Sequence, residues 1–272
     1  MKRLEGADEV LHTRNAEFQQ LQALVANRTK RHRQQSFLVQ GVRPLTIALE
    51  HGWPLRALLA PSDREVSDWA AETWAATGVK RVLMPGEMLD ELGEKADVTE
   101  LVGVAEIPAD DPARLPRDAG PVVVIDRATQ PRNLGMLARS IDAFGGAALI
   151  VTGHAADPYD PQAVRASTGS LLAVPVLRAD GPEQVQEWLE PGAWQYVGTD
   201  ETGERELRDL DLVRRTVIVL GNETRGMSTA WREACETTVA LPVVGTASSL
   251  NVAVTGSIVL HEALRQRLDA GA

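Results

Sequence analysis

Three short stretches of this 272-residue chain gather side chains that could bind a ligand and steady a developing charge. "NLGMLAR" (133–139) carries Asn133 and Arg139. "LGNETRGM" (220–227) carries Glu223 between two glycines, and "SSLNVAVTGSIVLHEALRQR" (248–267) sets Ser249 and Asn251 at the mouth of a helix. Two carboxamides, a carboxylate, a hydroxyl and a guanidinium suit a polar ligand. No G-x-S-x-G elbow occurs, so a hydrolase triad has no sequence support. Each stretch also has a plainer account. Asn133 can cap a helix with Leu134, Leu137 and Ile141 on one side. Arg139, about 140° around that helix from Leu134, can simply face solvent. The run 219–228 can be an ordinary strand-to-helix turn, and Ser249 or Asn251 an N-cap.

All three stretches follow predicted strand ends. From residue 121 onward, β-branched runs ("PVVVID" 121–126, "AALIVTG" 147–153, "AVPVLRA" 173–179, "QYVGTD" 195–200, "TVIVLGN" 216–222, "TTVALPV" 237–243) alternate with helical patterns. That alternation predicts an α/β fold with a mostly parallel sheet covered on both faces, whose ligands collect at the strands' carboxyl ends. Upstream, "RNAEFQQLQALVANRTKR" carries an amphipathic helical stripe at Phe18, Leu21, Leu24 and Val25. "SFLVQG" and "LRALLA" read as strands, and "VRPLTIALEHG" as a helix closed by Gly52. Further helices are expected within 64–78 and 86–95. Between the halves, Pro108, Pro112, Pro116 and Pro121 mark a linker. The expected domains are 1–108, a linker at 109–121 and 122–272.

Composition excludes several classes. Hydrophobic residues at 44% and charged residues at 24% are ordinary globular usage. The start lacks an apolar signal core and no run reaches membrane-span length, so a cytoplasmic protein with no membrane role is expected. The single cysteine, Cys235, reads as a small apolar helix residue. His12, His32, His51, His154 and His261 show no metal-ligand spacing, so no metal is expected. Neither a P-loop nor a G-x-G-x-x-G is present. The net charge of −10 argues against nucleic acid, but its distribution argues for it. Residues 1–56 hold nine Lys and Arg against five acids, a net +4 that leaves −14 on the remainder. The run "RTKRHR" (28–33) reads as a phosphate contact surface or a solvated charge run.

Jointly, N-x-G-x-x-x-R at 133–139, G-x-E-x-x-G-M at 221–227 and S-x-N at 249–251 resemble the three signature motifs of the SpoU (TrmH) branch of the SPOUT RNA methyltransferases, in order and spacing. Residues 8–108 are similar to the ribosomal-protein-like, L30e-like substrate-binding domain that precedes the catalytic domain in several members. The resemblance implies methyl transfer from S-adenosyl-L-methionine to a ribose 2'-hydroxyl of RNA, with 23S ribosomal RNA the expected target. A transfer-RNA methyltransferase and a non-catalytic ribosome-binding scaffold are the alternatives. It further implies a C-terminal trefoil knot and a homodimer with the active site at or near the interface. Asn133, Arg139, Glu223, Ser249 and Asn251 match the catalytic positions. Thr199, Leu220, Gly221, Asn222, Leu241, Ser249 and Leu250 would line the cofactor pocket. RNA contacts are expected from Arg14, Asn15, Lys30, Arg31, Arg33, Gln40, Arg43 and Arg165. Arginine stays protonated at neutral pH, so Arg139 is expected to bind phosphate and steady the 2'-oxyanion rather than act as a base.

Overall fold

The computed structural model describes residues 2–93, 99–116 and 120–271, which form two compact units. The first comprises 1–108 together with 159–173. Its sheet runs β1-β4-β3-β5-β2, with β1 (Glu9–Val10), β2 (Ser36–Gln40), β3 (Leu55–Pro61), β4 (Lys80–Met84) and β5 (Val102–Glu106). β5 is antiparallel to β2 and β3, whereas β4 is parallel to β1 and β3. The helices are α1 (Ala16–Ala26), α2 (Arg28–Gln34), α3 (Val42–Glu50), α4 (Asp68–Ala76) and α5 (Gly86–Leu92). The expected stripe at Phe18, Leu21, Leu24 and Val25 lies on α1, and the stretch that carries it, 14–31, runs on into a second helix. Asn27 leaves helical geometry at φ −129° and its carboxamide accepts the Lys30 amide, ending α1 and starting α2. Phe18, Leu24, Leu59, Met84 and Met88 fill the core. The expected helix end at 94–95 lies outside the described residues.

The second unit comprises 109–158 and 174–272. Its strands are β6 (Val122–Asp126), β7 (Ala148–Thr152), β8 (Val176–Ala179), β9 (Gln195–Thr199), β10 (Arg205–Glu206), β11 (Thr216–Leu220) and β12 (Thr237–Ala240). They order as β10-β12-β9-β11-β6-β7-β8, and every neighbouring pair is parallel. Strand order therefore reverses between β6 and β11, the point where such sheets open a crevice at the carboxyl edge. Strand residues alternate between faces. Val122, Val124, Val217 and Val219 join Trp231 and Tyr196 in one core cluster. On the other face α6 (Pro131–Ala143) packs along α10 (Val252–Ala270). Gly256 permits that approach, since a Cβ there would lie 2.6 Å from Leu137 and 2.8 Å from Leu220. α8 (Pro182–Trp188) and α9 (Thr229–Ala234) complete the unit.

After β7 the chain contributes 159–173 to the first unit, including α7 (Pro161–Ser167). Tyr159 packs on Phe37 with ring centroids 4.8 Å apart and planes tilted by 41°. The proline-rich segment expected as a linker packs on the second unit where it is described. Asp110 pairs with Arg178 at 2.7 Å, Arg114 donates to the Val176 carbonyl, and Leu115 is buried in the core cluster. Among the described residues no helix is long and apolar enough to cross a membrane.

Candidate functional site

The site grows from the switch point of the second unit. β6 ends in Asp126, 3% exposed, whose carboxylate accepts the Ser228 amide at 2.7 Å and the Arg127 Nε at 3.0 Å. Arg127 has φ +55°, uncommon outside glycine. That backbone turn lets it donate to the Gly226 carbonyl at 3.0 Å while its own carbonyl accepts the Asn222 side chain at 2.7 Å. The ends of β6 and β11 are thereby clamped together. Sequence reasoning missed Asp126 and Arg127. The available signal was a charged pair ending an otherwise apolar strand, "VVVIDR".

Above this clamp lies a chain of polar side chains. Glu223 accepts the Thr129 amide at 3.1 Å, the Thr129 hydroxyl at 3.0 Å and the Gln130 amide at 3.4 Å. Its other principal partner is Asn133, which donates from Nδ2 at 2.9 Å. Asn133 Oδ1 accepts Asn251 Nδ2 at 3.1 Å, and Asn251 Oδ1 accepts the Ala253 and Val254 amides that open α10. Three of the sequence-selected residues, 90 and 118 positions apart, thus form one continuous network. Partial burial pushes the Glu223 carboxyl up, but hydrogen bonds from its own backbone, Asn133 and Thr129 outweigh it, so it sits below the usual carboxylate range.

The capping expectation divides. Asn251 caps α10. Asn133 caps nothing: Pro131 opens α6 at its first position, which puts Asn133 inside the first turn, 5% exposed and turned into the network. Arg139 and Ser249 are exposed; Arg139 follows Asn133 by six residues on α6, well around the helix.

The residues expected to hold the cofactor lie at adjoining strand ends. Thr199 closes β9 and donates from Oγ1 to the Val219 carbonyl at 3.3 Å. Leu220 closes β11 and is fully buried. Gly221 admits no side chain, because a Cβ would lie 2.3 Å from the Met227 nitrogen. Leu241 follows β12, and the run through Leu250 is exposed apart from Leu241 itself, which is half-buried. Among the described residues, no amide of 243–250 donates a hydrogen bond to the protein. Exposed Val243, Val244 and Leu250 lie beside those amides. Apolar side chains next to uncommitted backbone donors, at the crevice of a parallel sheet, fit an adenosyl group with its flat base and polar edges. Asn222, also expected in the pocket, is tied into its own loop. Its Oδ1 accepts the Thr224 and Arg225 amides, its Nδ2 donates to Arg127, and its backbone pairs with Gly226. These bonds shape the loop and leave one N–H of the Asn222 carboxamide uncommitted among the described residues. Cys235, half-buried beside the core cluster, has its thiol pushed up to about 12, chiefly by burial, and is no nucleophile at neutral pH.

In the first unit the expected RNA contacts separate. Lys30, Arg33 and Arg43 are exposed and have no ion-pair partner among the described residues. Arg165 is exposed on α7, and Gln40 is half-buried at the end of β2. Arg14 is exposed but engaged by Glu91, with Nε at 3.0 Å. Asn15 caps α1. Arg31 is a correction. It is 2% exposed and donates to the Leu24 and Val25 carbonyls and to Asp160 at 2.9 Å, so it holds α7 and does not face RNA. Nothing local announces this, since its partner lies 129 residues away. Arg31→Ala is expected to cost about 3 kcal/mol of stability in urea unfolding, because it leaves Asp160 and two carbonyls uncompensated.

A parallel sheet that clamps polar groups at its switch point, preceded by a small mixed-sheet unit that exposes Lys30, Arg33 and Arg43, defines a two-unit enzyme of the SpoU class. The chain belongs to the SpoU rRNA Methylase family, which it matches over residues 120–261, and residues 15–102 match the SpoU L30e-like domain. Among its relatives is the 23S rRNA (uridine(2479)-2'-O)-methyltransferase of Streptomyces viridochromogenes, 48% identical over 94% of this chain and 92% of that protein. The crystal structure of the SpoU methyltransferase AviRb from the same organism, in complex with AdoMet, superposes with a TM-score of 0.90 at 48% identity over 94% of this chain and 99% of that one. An AdoMet-bound rRNA methyltransferase from Sinorhizobium meliloti superposes with a TM-score of 0.82 at 27% identity, covering 94% and 98%.

Proposed function

We propose that this protein transfers a methyl group from S-adenosylmethionine to a ribose 2'-hydroxyl of 23S ribosomal RNA. The observation that carries the reading is the Glu223–Asn133–Asn251 chain at the switch point, formed by the residues that match the family's motifs. When bound, the cofactor supplies an electrophilic methyl carried on a sulfonium. Thr199, Leu220, Gly221, Leu241, Ser249 and Leu250 would hold it. The protein's own tasks are to align the 2'-oxygen and to stabilise the charge that grows on it. Glu223 fixes the 129–130 turn and, through Asn133 and Asn251, the start of α10, so the loops on either side of the crevice keep one geometry. Arg139 binds the neighbouring phosphate and the developing oxyanion through its guanidinium, while the proton leaves to phosphate or water. The exposed Lys30, Arg33 and Arg43 of the first unit supply sequence-independent affinity. The test is incorporation of radiolabelled methyl into 23S rRNA transcripts followed by ribose-methylation mapping. One modified 2'-hydroxyl is the expected result, and absence of transfer to any RNA overturns the reading.

A trefoil knot and a homodimer belong to the same reading. The path of the chain supports the knot: after β12 it runs through the exposed 241–251 segment and returns in α10 against α6 and β11. An apolar stripe supports the dimer. Met136 on α6 and Val254 and Ile258 on α10 are 37%, 39% and 39% exposed, beside a Ser140–Ser257 hydrogen bond of 2.7 Å that ties the two helices. Val254 and Ile258 are one turn apart and share a face. Replacing both by Arg is expected to yield a monomer in sedimentation, with methyl transfer down at least about tenfold if Arg139 acts across the interface.

A further inference from the structure

Within the first unit lies a cleft of about 220 Å³ whose lining combines three kinds of group. Its walls are apolar: Leu38 from β2, Leu92 from α5 and Val164 from α7, all nearly or fully buried. Gln40 supplies a carboxamide that makes no hydrogen bond among the described residues. Its Oε1 lies where a Cβ on Gly93 would come within 3.1 Å, so that glycine leaves the amide its place. At the rim stand two exposed cations, Arg43 in the first turn of α3 and Arg165 on α7. Among the described residues no acid lines the cleft, in a chain of net charge −10.

We propose that this cleft receives one unstacked nucleobase of the RNA substrate and so helps select the site that is methylated; the proposal rests on the RNA-methylating function above. An acyl chain or apolar peptide segment would have no use for the amide and the arginines, and an anion alone none for the apolar walls. A base needs all three. Its faces pack between aliphatic side chains, its edge bonds to a carboxamide that offers both donors and an acceptor, and its flanking phosphate meets a guanidinium. A guanidinium plane can also stack on a base. Proteins read RNA sequence in this way, at loops whose bases are splayed out.

The cleft is built to keep its shape. Its α7 wall is fixed by the buried Arg31–Asp160 pair and by Tyr159 on Phe37. Gly169, at φ +101°, lets the chain after α7 close on α3, since a Cβ there would lie 2.6 Å from Ile47. The α7 wall is also the segment that leaves β7 and returns to β8 of the methyltransferase sheet, so the pocket exists only where both halves of the sequence cooperate.

The test uses the full-length protein and a 23S rRNA transcript. Ultraviolet crosslinking and mass spectrometry should find a nucleotide attached within 36–43 or 161–168, and Gln40→Trp, which fills the cleft, should abolish that adduct while other crosslinks persist. Gln40→Trp and Gln40→Ala should each raise KM for RNA about tenfold or more, with S-adenosylmethionine affinity, read by calorimetry, as the check that the variants are folded. If Gln40→Trp does not fold, Gln40→Ala carries the test alone. Wild-type crosslinks that avoid both peptides, or variants with an unchanged KM for RNA, overturn the proposal and leave the methyltransferase reading standing. A wild-type protein that methylates no RNA overturns that reading instead, and the crosslinks then decide the cleft by themselves.

Discussion

Glu223→Gln is expected to lower kcat/KM for RNA methylation by about 100-fold while leaving the protein folded. The carboxylate is the common acceptor for two backbone amides, the Thr129 hydroxyl and the Asn133 carboxamide. An amide keeps one oxygen and turns its two N–H bonds toward other donors, so at least one contact becomes repulsive and the 129–130 turn and Asn133 must shift. Displacement of aligned groups by about an ångström is enough for a loss of that size. The stability cost is smaller, about 1–2 kcal/mol, because the group is half-exposed and water can replace part of what is lost. The pH dependence identifies the cause. The carboxyl is held below its ordinary value of 4.5 in the folded protein, so the unfolded chain takes up the proton first as pH falls. Its contribution is therefore complete above that value and is lost as pH drops through the lower folded one. Urea unfolding of the wild type and variant should show a constant stability difference at neutral pH that shrinks below about pH 4.5. A difference independent of pH would exclude the carboxylate as its source.

The network was legible because its members are small polar residues placed where a core would reject them. Glu223 follows a strand of five buried residues, and Asn251 follows an exposed run and precedes a long helix. Strand-and-helix alternation likewise gave the parallel sheet, since buried parallel strands read as unbroken β-branched runs. Three things could not be read locally. β4, "KRVLM", begins with two cations, and β5, "VGVAE", carries a glycine against which Leu45 packs, so neither has a clear strand pattern. The transfer of 159–173 to the first unit depends on contacts such as Arg31–Asp160, which join residues far apart in the chain. Helix periodicity could not tell that Arg31 turns inward while Lys30 and Arg33 beside it face solvent, and charge alone made all three look like RNA contacts. Asn133 is a different case. Pro131 two residues earlier marks the first helical position, and that rule would have placed the asparagine inside the turn.

Arg139→Ala is expected to reduce kcat by about 100- to 1,000-fold, with S-adenosylmethionine affinity unchanged. The range is that of a preorganised charge removed from a developing oxyanion. The position is right for such a role, because Arg139 is exposed on α6 and close along the helix to Met136 and Ser140, whose surroundings include the proposed dimer stripe. Arg139→Lys separates the two ways a cation could act there. A general base would be restored by lysine, whose amine loses its proton far more readily than a guanidinium, and the variant's rate would rise steeply with pH. A bidentate contact to phosphate and oxygen would not be restored, because an ammonium is a point charge without the planar fork. The expected outcome is that Arg139→Lys keeps a minor fraction of the rate, has a raised KM for RNA, and follows the same pH profile as the wild type from pH 6 to 9. Near-full activity would remove the bidentate contact, and a profile climbing toward the lysine pKa would restore the base. Mixing Arg139→Ala subunits with subunits inactivated by Glu223→Gln adds a further readout. If the arginine is donated across the interface, the hybrid dimer has one site that lacks both groups and one that lacks neither, and activity returns. If it serves its own subunit, every site in the mixture lacks one group and none recovers.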